Sequence, residues 1–257
     1  IGVTALMVTN TNRIVVCSQF GRVFVSDENQ ENFTDVGIQM PFLGDHYSWC
    51  HFQFGYGHYE NLVWVSSYGH NDIVANKAYL SKDYGATGEE MSDLPYVNHT
   101  HNIHVHDLQY DPYQDRFWCV FGDDNNANTF YSDDLGQTWT PVFGLHAEDQ
   151  RNVQYTSIAC FDHGVVFGSD QTGLDDRLDY WPRSEVVDPK DFKTIYYPDK
   201  GKGFISFALK AWQGVVGNDL ITLMPWYGLS NNKTFLLATI DGKRWFEIYR
   251  GKHPGGW

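Results

Sequence analysis

Tyr131-Ser132-Asp133-Asp134-Leu135-Gly136-Gln137-Thr138-Trp139 stands near the middle of the 257-residue chain. It reads as the end of one strand, a tight polar hairpin and the start of the next. The short side chains of Ser132 and Asp134 can cap backbone N–H groups, Gly136 can take positive φ, and Trp139 can pack beneath the turn. Like segments recur outward from it. Ser26, Ser81 and Ser132 each follow a short apolar strand (VFVS, AYLS, TFYS), and they stand at a steady interval. The next clear copy is at Thr239, in LLATIDGKRW, where two intervals have passed with one degenerate copy between.

Five units of about 50 residues therefore fill the chain, and that period is in the range of a propeller blade. Within each unit short apolar strands alternate with polar turns, such as Asn10-Thr11-Asn12, Asp111-Pro112-Tyr113-Gln114 and Asp162-His163-Gly164. The fifth unit reads as strands Phe204–Trp212, Asp219–Pro225, Thr234–Thr239 and Trp245–Tyr249, with a turn near Gly214. Four strands per unit, with turn signals at short regular spacing, is an all-β pattern. No segment sustains the apolar period of a helix. The expected fold is all-β: a single five-bladed β-propeller domain over 1–257, with four-stranded antiparallel blades at about 1–46, 47–99, 100–149, 150–202 and 203–257.

Composition agrees. Aromatic residues make up 16% and charged residues 19%, with 24 Gly, a balance that favours strands over helices. The formal net charge of -14 argues against nucleic acid, whose phosphates need a basic face. No apolar run is long enough to span a membrane. Ile1-Gly2-Val3 is neither a signal peptide nor an initiator, so the chain is expected to begin within a longer protein or after processing. Cys17 and Cys119 occupy matching places in their units, as do Cys50 and Cys160. Equivalent positions on different units need not touch, so all four read as small buried hydrophobes.

The repeated hairpin carries a resemblance. Ser132-x-Asp134-x-Gly136-x-Thr138-Trp139 resembles the Asp-box (BNR) motif of sialidase-like β-propellers. Ser81-x-Asp83-x-Gly85-x-Thr87 matches all but the final Trp, which is Gly88 here. Thr239-x-Asp241-Gly242, closing on Trp245, is a shortened copy; Ser26-x-Glu28, ending on Phe33, is a weak one; the fourth unit has lost the motif. The resemblance implies a structural role for these residues on the outer hairpins. A narrower likeness lies in HVHDLQYDPYQDRFWCVFGDD, followed by YSDDLGQTW. This run looks like the five-bladed platform of receptor-binding proteins in tails of phages that infect Gram-positive bacteria. It implies a non-catalytic adhesin of the virion, homotrimeric in the full-length protein, attached to other tail or baseplate subunits. The implied ligand is a cell-wall glycan such as decorated teichoic acid. No cofactor and no metal is implied.

In a propeller, ligands bind over the channel, at loops entering the innermost strands and loops between second and third strands. By the unit alignment the second set carries Gln19, His70 and Asn71, Asp123 and Asp124, Asp170, and Trp226 and Tyr227, while the first carries Trp49, His101, His104 and Arg151. Aromatic faces with amides, carboxylates and imidazoles suit a sugar, since rings stack on C–H faces while polar groups fix hydroxyls. His99, His101, His104 and His106 raise a metal reading, because alternate imidazoles on a strand share a face. No carboxylate is tied to them by sequence, and histidines lining a polar channel is the preferred reading.

The chief rival is a glycoside hydrolase of the sialidase type. That chemistry needs an arginine triad, a Tyr–Glu pair and an acid Asp. The arginines include Arg13 and Arg116, which open second strands at the far end from the ligand loops, and the family's N-terminal R-I-P signature is absent. A glycosidase using Asp123, Asp124 or Asp170 is a second form of this reading, and a secreted Asp-box module that binds only protein is a third.

Overall fold

Arg116–Phe121 (RFWCVF) and Gly164–Ser169 (GVVFGS) are buried at every position. A strand covered on both faces reads as one apolar run and belongs in the middle of a packed sheet. Phe246–Lys252, by contrast, is exposed along almost its whole length, which is what an outer strand tolerates. A computed structural model describes residues 2–40, 49–54, 61–68, 74–94, 103–123, 126–144, 147–149, 153–170, 176–196, 206–208, 211–216, 219–228 and 233–252.

These residues form five sheets. The first runs β1 (Val3–Val8), β2 (Ile14–Ser18), β3 (Arg22–Ser26), β4 (Phe33–Gln39). The second runs β5 (Trp49–Phe54), β6 (Val63–Tyr68), β8 (Ala78–Ser81), β9 (Glu89–Glu90). The third consists of β10 (Ile103–Asp111), β11 (Arg116–Phe121), β12 (Asn128–Ser132) and β13 (Thr140–Phe143), with β7 (Val74–Ala75) added alongside β10. The fourth runs β14 (Tyr155–Phe161), β15 (Gly164–Ser169), β16 (Leu178–Pro182), β17 (Lys193–Tyr196). In the fifth, β18 (Ser206–Ala208) and β19 (Trp212–Val216) both pair with β20 (Asp219–Gly228), followed by β21 (Lys233–Thr239) and β22 (Phe246–Lys252). Pairing in the first, second, fourth and fifth sheets is antiparallel. The β7–β10 pair is parallel and has no counterpart in the sequence repeat. A 3-10 turn at Pro189–Asp191 is capped by the Asp188 carboxylate on the amide of Lys190. No helix of the described residues is long and apolar enough to cross a membrane.

The chain forms two compact units, residues 1–126 with 130–140 and residues 127–129 with 141–257. In the first, Trp64 is buried and meets Phe117 edge-on at 5.4 Å, while its Nε1–H donates to the Leu108 carbonyl at 2.7 Å. A narrow crevice lined by Val15, Val63, Trp64 and Gly85 is a seam of this apolar interior. In the second unit, Phe192 packs against Phe143, Phe167 and Trp181, and Met224, Trp226 and Leu237 are fully buried in a cluster closed by Trp245. Cys17, Cys119 and Cys160 are buried; the side chain of Cys50 lies outside the described residues.

The hairpins share one hydrogen-bond pattern. Ser132 Oγ accepts from the amide of Gly136 at 2.8 Å and donates to Asp134 Oδ1 at 2.7 Å. Asp134 then accepts from the amide and hydroxyl of Thr138 at 2.8 and 2.6 Å. In the preceding unit Ser81 Oγ accepts from Gly85 at 2.8 Å and donates to Asp83 at 2.7 Å. Asp83 in turn accepts from the amide and hydroxyl of Thr87 at 2.8 and 2.7 Å. Leu135 and Gly136 both take positive φ, as do Tyr84 and Gly85. In the shortened copy Thr239 Oγ1 takes the Gly242 amide at 2.9 Å, and Asp241 caps Lys243 and Arg244. Bonds from Thr138 hold the Asp134 carboxyl down to about 2, and the Arg244 amide leads in holding Asp241 well below the usual carboxylate range.

Several sequence expectations are corrected here. In the first unit the capping acid is Asp27, which accepts from the Glu31 amide and the Asn32 side chain; Glu28 instead pairs with Arg13. Phe33 is 48% exposed and does not pack under its turn. Trp139 does more than cover its own hairpin, since its Nε1–H donates to the Ser92 carbonyl at 3.0 Å. In the fifth unit Gly214 lies inside β19, paired with Ile221. The following strand runs on to Gly228, so Pro225–Gly228 is strand and not loop.

Candidate functional site

In three sheets the first strand slips register at the same place. The shift falls between Val3 and Ala5, between Val105 and Asp107, and between Tyr155 and Ser157. Thr4, His106 and Thr156 are the extra residues. Each bulge is closed by a matching bond: the amides of Gln19, Gly122 and Asp170 donate to the carbonyls of Gly2, His104 and Gln154, all at 2.8 Å. A bulge bends its strand and re-aims the side chain it carries. The same backbone device thus presents a different set of polar groups in each sheet, at the end where second strands stop and third strands have not begun.

The third sheet carries the densest set. His106 is the extra residue of the slip and His104 stands two residues before it, with ring centroids 4.7 Å apart and planes at 59°. Asp123 reaches them from the end of β11. The chain turns sharply there because Gly122 takes φ 77°, and a Cβ on Gly122 would stand 2.2 Å from the Asn126 carbonyl oxygen. That turn is fixed by the Asn126 amide donating to the Asp123 carbonyl at 2.8 Å. His106 Nε2 lies 2.8 Å from Asp123 Oδ1, and His104 Nε2 lies 3.6 Å from Oδ2. Both histidine side chains are 4% exposed and that of Asp123 is 20% exposed, so solvent reaches the cluster on the carboxylate side.

The other two bulges are built from amides and acids. In the first sheet the Gly2 amide donates to Gln19 Oε1 at 2.7 Å. In the fourth, Gln154 Nε2 donates to Asp170 Oδ2 at 3.4 Å, and Asp179 gathers Tyr155, Arg177 and Thr194 at 2.6–2.9 Å. Three arginines of these sheets are committed elsewhere. Arg116 pairs with Asp133 and lies over the Tyr131 ring, Arg22 pairs with Asp35, and Arg183 donates to the carbonyls of Phe161 and Asp162.

Several solved structures are similar to the chain along nearly its whole length. One is the Dos1 propeller (14% identical, TM-score 0.52, 98% of this chain and 58% of that one). Another is the Cps50 (Swd1) β-propeller domain of Myceliophteria thermophila (8% identical, TM-score 0.52, 98% and 74%). The fold is that of a β-propeller. A third similar structure is the GH74 xyloglucanase of Xanthomonas campestris, 16% identical with a TM-score of 0.58; it covers 96% of this chain, which spans only 38% of the enzyme's length. At such identities the likeness is one of fold alone. No family model matches the chain, and no curated protein matches it.

Of the residues singled out from sequence, the propeller brings His104 and Asp123 together and places Asp170 at the equivalent point of another sheet. Trp226 is a correction: it is fully buried inside β20, in the apolar cluster with Met224 and Leu237, and is no part of a loop. Tyr227 follows it in the same strand, paired with Thr234. Trp49 opens β5, paired with Tyr68. His70, Asn71, His101, Asp124 and Arg151 lie outside the described residues. Gln154 belongs to a bulge without having been a candidate from sequence, and His106 was raised there only with the other histidines in the metal reading. For His106 the alternation of histidines was the available signal; its carboxylate partner was invisible because Asp123 lies at the end of the next strand.

Proposed function

We propose that this propeller is a receptor-binding domain that recognises cell-wall glycans of Gram-positive bacteria, carried on a phage tail. In this reading the five sheets are the five blades of one domain, held in a homotrimeric full-length protein beside other tail or baseplate subunits. The observation that carries it is the repeated bulge: one backbone scaffold, recurring in three sheets, displays His/Asp, Gln or Gln/Asp groups that differ from sheet to sheet. Polar groups of that kind suit recognition of hydroxyl-rich ligands, where several modest polar contacts add up. Several copies on one tail would supply avidity without high affinity per site. The net charge of -14 favours contacts to sugars over contacts to backbone phosphates.

The pairing of Arg22, Arg116 and Arg183 with other groups supports a non-catalytic reading over a carboxylate-clamping sialidase. A pulldown on purified Gram-positive cell walls, run alongside a reducing-sugar assay on the same walls, tests both halves. Saturable binding without sugar release is the expected outcome; sustained release of reducing ends would replace the adhesin with a hydrolase.

A further inference from the structure

We propose that His104, His106 and Asp123 form a three-ligand site for a divalent transition-metal ion of the zinc type. The inference stands on the geometry of these residues and does not need the glycan reading. Two imidazole nitrogens and one carboxylate oxygen lie within 4.8 Å of one another. Ligands arranged tetrahedrally about Zn²⁺ at about 2.0–2.1 Å stand roughly 3.3 Å apart, so a small inward movement of the two rings completes the set. The backbone holds the parts in place independently of any ion: the bulge at His106 turns its ring toward His104, and the tight turn at Gly122 brings the carboxylate back over both. Two nitrogens and one oxygen suit Zn²⁺, Co²⁺ or Ni²⁺, whereas Ca²⁺ and Mg²⁺ require oxygen ligands. The fourth position faces the partly exposed Asp123 side, where water or a ligand hydroxyl can enter.

Binding requires neutral imidazoles. His106 ligates through the lone pair of Nε2, the nitrogen now directed at Asp123, while Nδ1 carries the ring's one hydrogen. No bond to carbon changes. Protons compete with the ion for both rings, so uptake weakens as pH falls.

The test is calorimetric titration of the whole chain with ZnCl₂ at pH 8, repeated with CoCl₂ while recording the visible absorption of the bound ion. The expected result is a step of one equivalent and a Co²⁺ spectrum of low-coordinate intensity. His106→Ala should abolish both. Asp123→Asn, which keeps the side chain's shape, should weaken uptake by at least about tenfold, since even outer-shell partners are worth that much. Far-UV circular dichroism confirms that each variant is folded, and Asp123→Asn carries the test if His106→Ala is not. Absence of the one-equivalent step, or a step unchanged in both variants, would overturn the site and leave a hydrogen-bonded His–Asp cluster. Loss of glycan binding with metal uptake intact bears only on the adhesin reading.

Discussion

The Ser132 hydroxyl accepts the Gly136 amide at 2.8 Å, and in the preceding unit Ser81 holds Gly85 at the same distance. Both bonds are buried, so removing the acceptor leaves an amide without a partner. Ser132→Ala should destabilise the protein by about 1–2 kcal/mol, read from urea unfolding. Ser132→Thr should cost less, because Thr239 makes the equivalent bond to Gly242.

Acid should loosen these hairpins. The Asp134 carboxyl, held at about 2 by Thr138, binds its proton more weakly folded than unfolded, where it titrates at its ordinary 3.8. Its contribution is therefore full above pH about 4 and lost as pH falls through about 2. Asp83 and Asp241 are shifted the same way. Thermal unfolding followed across the acid range, from weakly acidic buffer down to pH about 2, should show a steep fall in midpoint. Asp134→Asn should make that fall shallower.

Trp226 tests whether burial has been read correctly. Trp226→Ala should cost about 3–5 kcal/mol in denaturant unfolding, while Trp226→Phe should retain the fold and leave ligand binding unchanged. A Trp226→Phe protein that folds normally yet loses binding would return this residue to the surface.

Gly122→Ala should be among the most disruptive single-methyl changes in the chain. The new Cβ would sit 2.2 Å from a backbone oxygen at a residue with φ 77°, and strain of this kind costs about 1–3 kcal/mol. A drop in unfolding midpoint larger than that of Gly37→Ala, whose Cβ would meet nothing within 4 Å, checks the claim.

Much of this was legible in the chain itself. Period and punctuation locate most strands, because turn chemistry at Asp111–Gln114 or Asp162–Gly164 is local and a buried middle strand such as RFWCVF must be apolar on both faces. The hairpin boxes were legible because Ser, Asp, Gly and Thr act within a few residues of one another. What escaped is non-local. Trp226 lies between Pro225 and Gly228, which read as turn punctuation although the strand runs through both, so core-strand residues passed for a loop. Asp27 took the capping role from Glu28 because only its shorter side chain reaches back to the Glu31 amide. The bulges left no trace, since a register slip depends on the partner strand, and with them the meeting of His106 with Asp123 stayed hidden.

Binding of the purified domain to Gram-positive cell walls, measured with Gln19→Ala, Asp123→Asn and Asp170→Ala one at a time, is the most direct test of the proposed recognition by the bulges. Each substituted side chain lies at a separate bulge, and each variant should remain folded. The wild-type chain should bind saturably, and at least one of the three variants should bind about tenfold or more weakly, the scale of a lost hydrogen bond to a charged or buried group. Wild-type protein that fails to bind, or three folded variants that bind as it does, would contradict glycan recognition at these bulges.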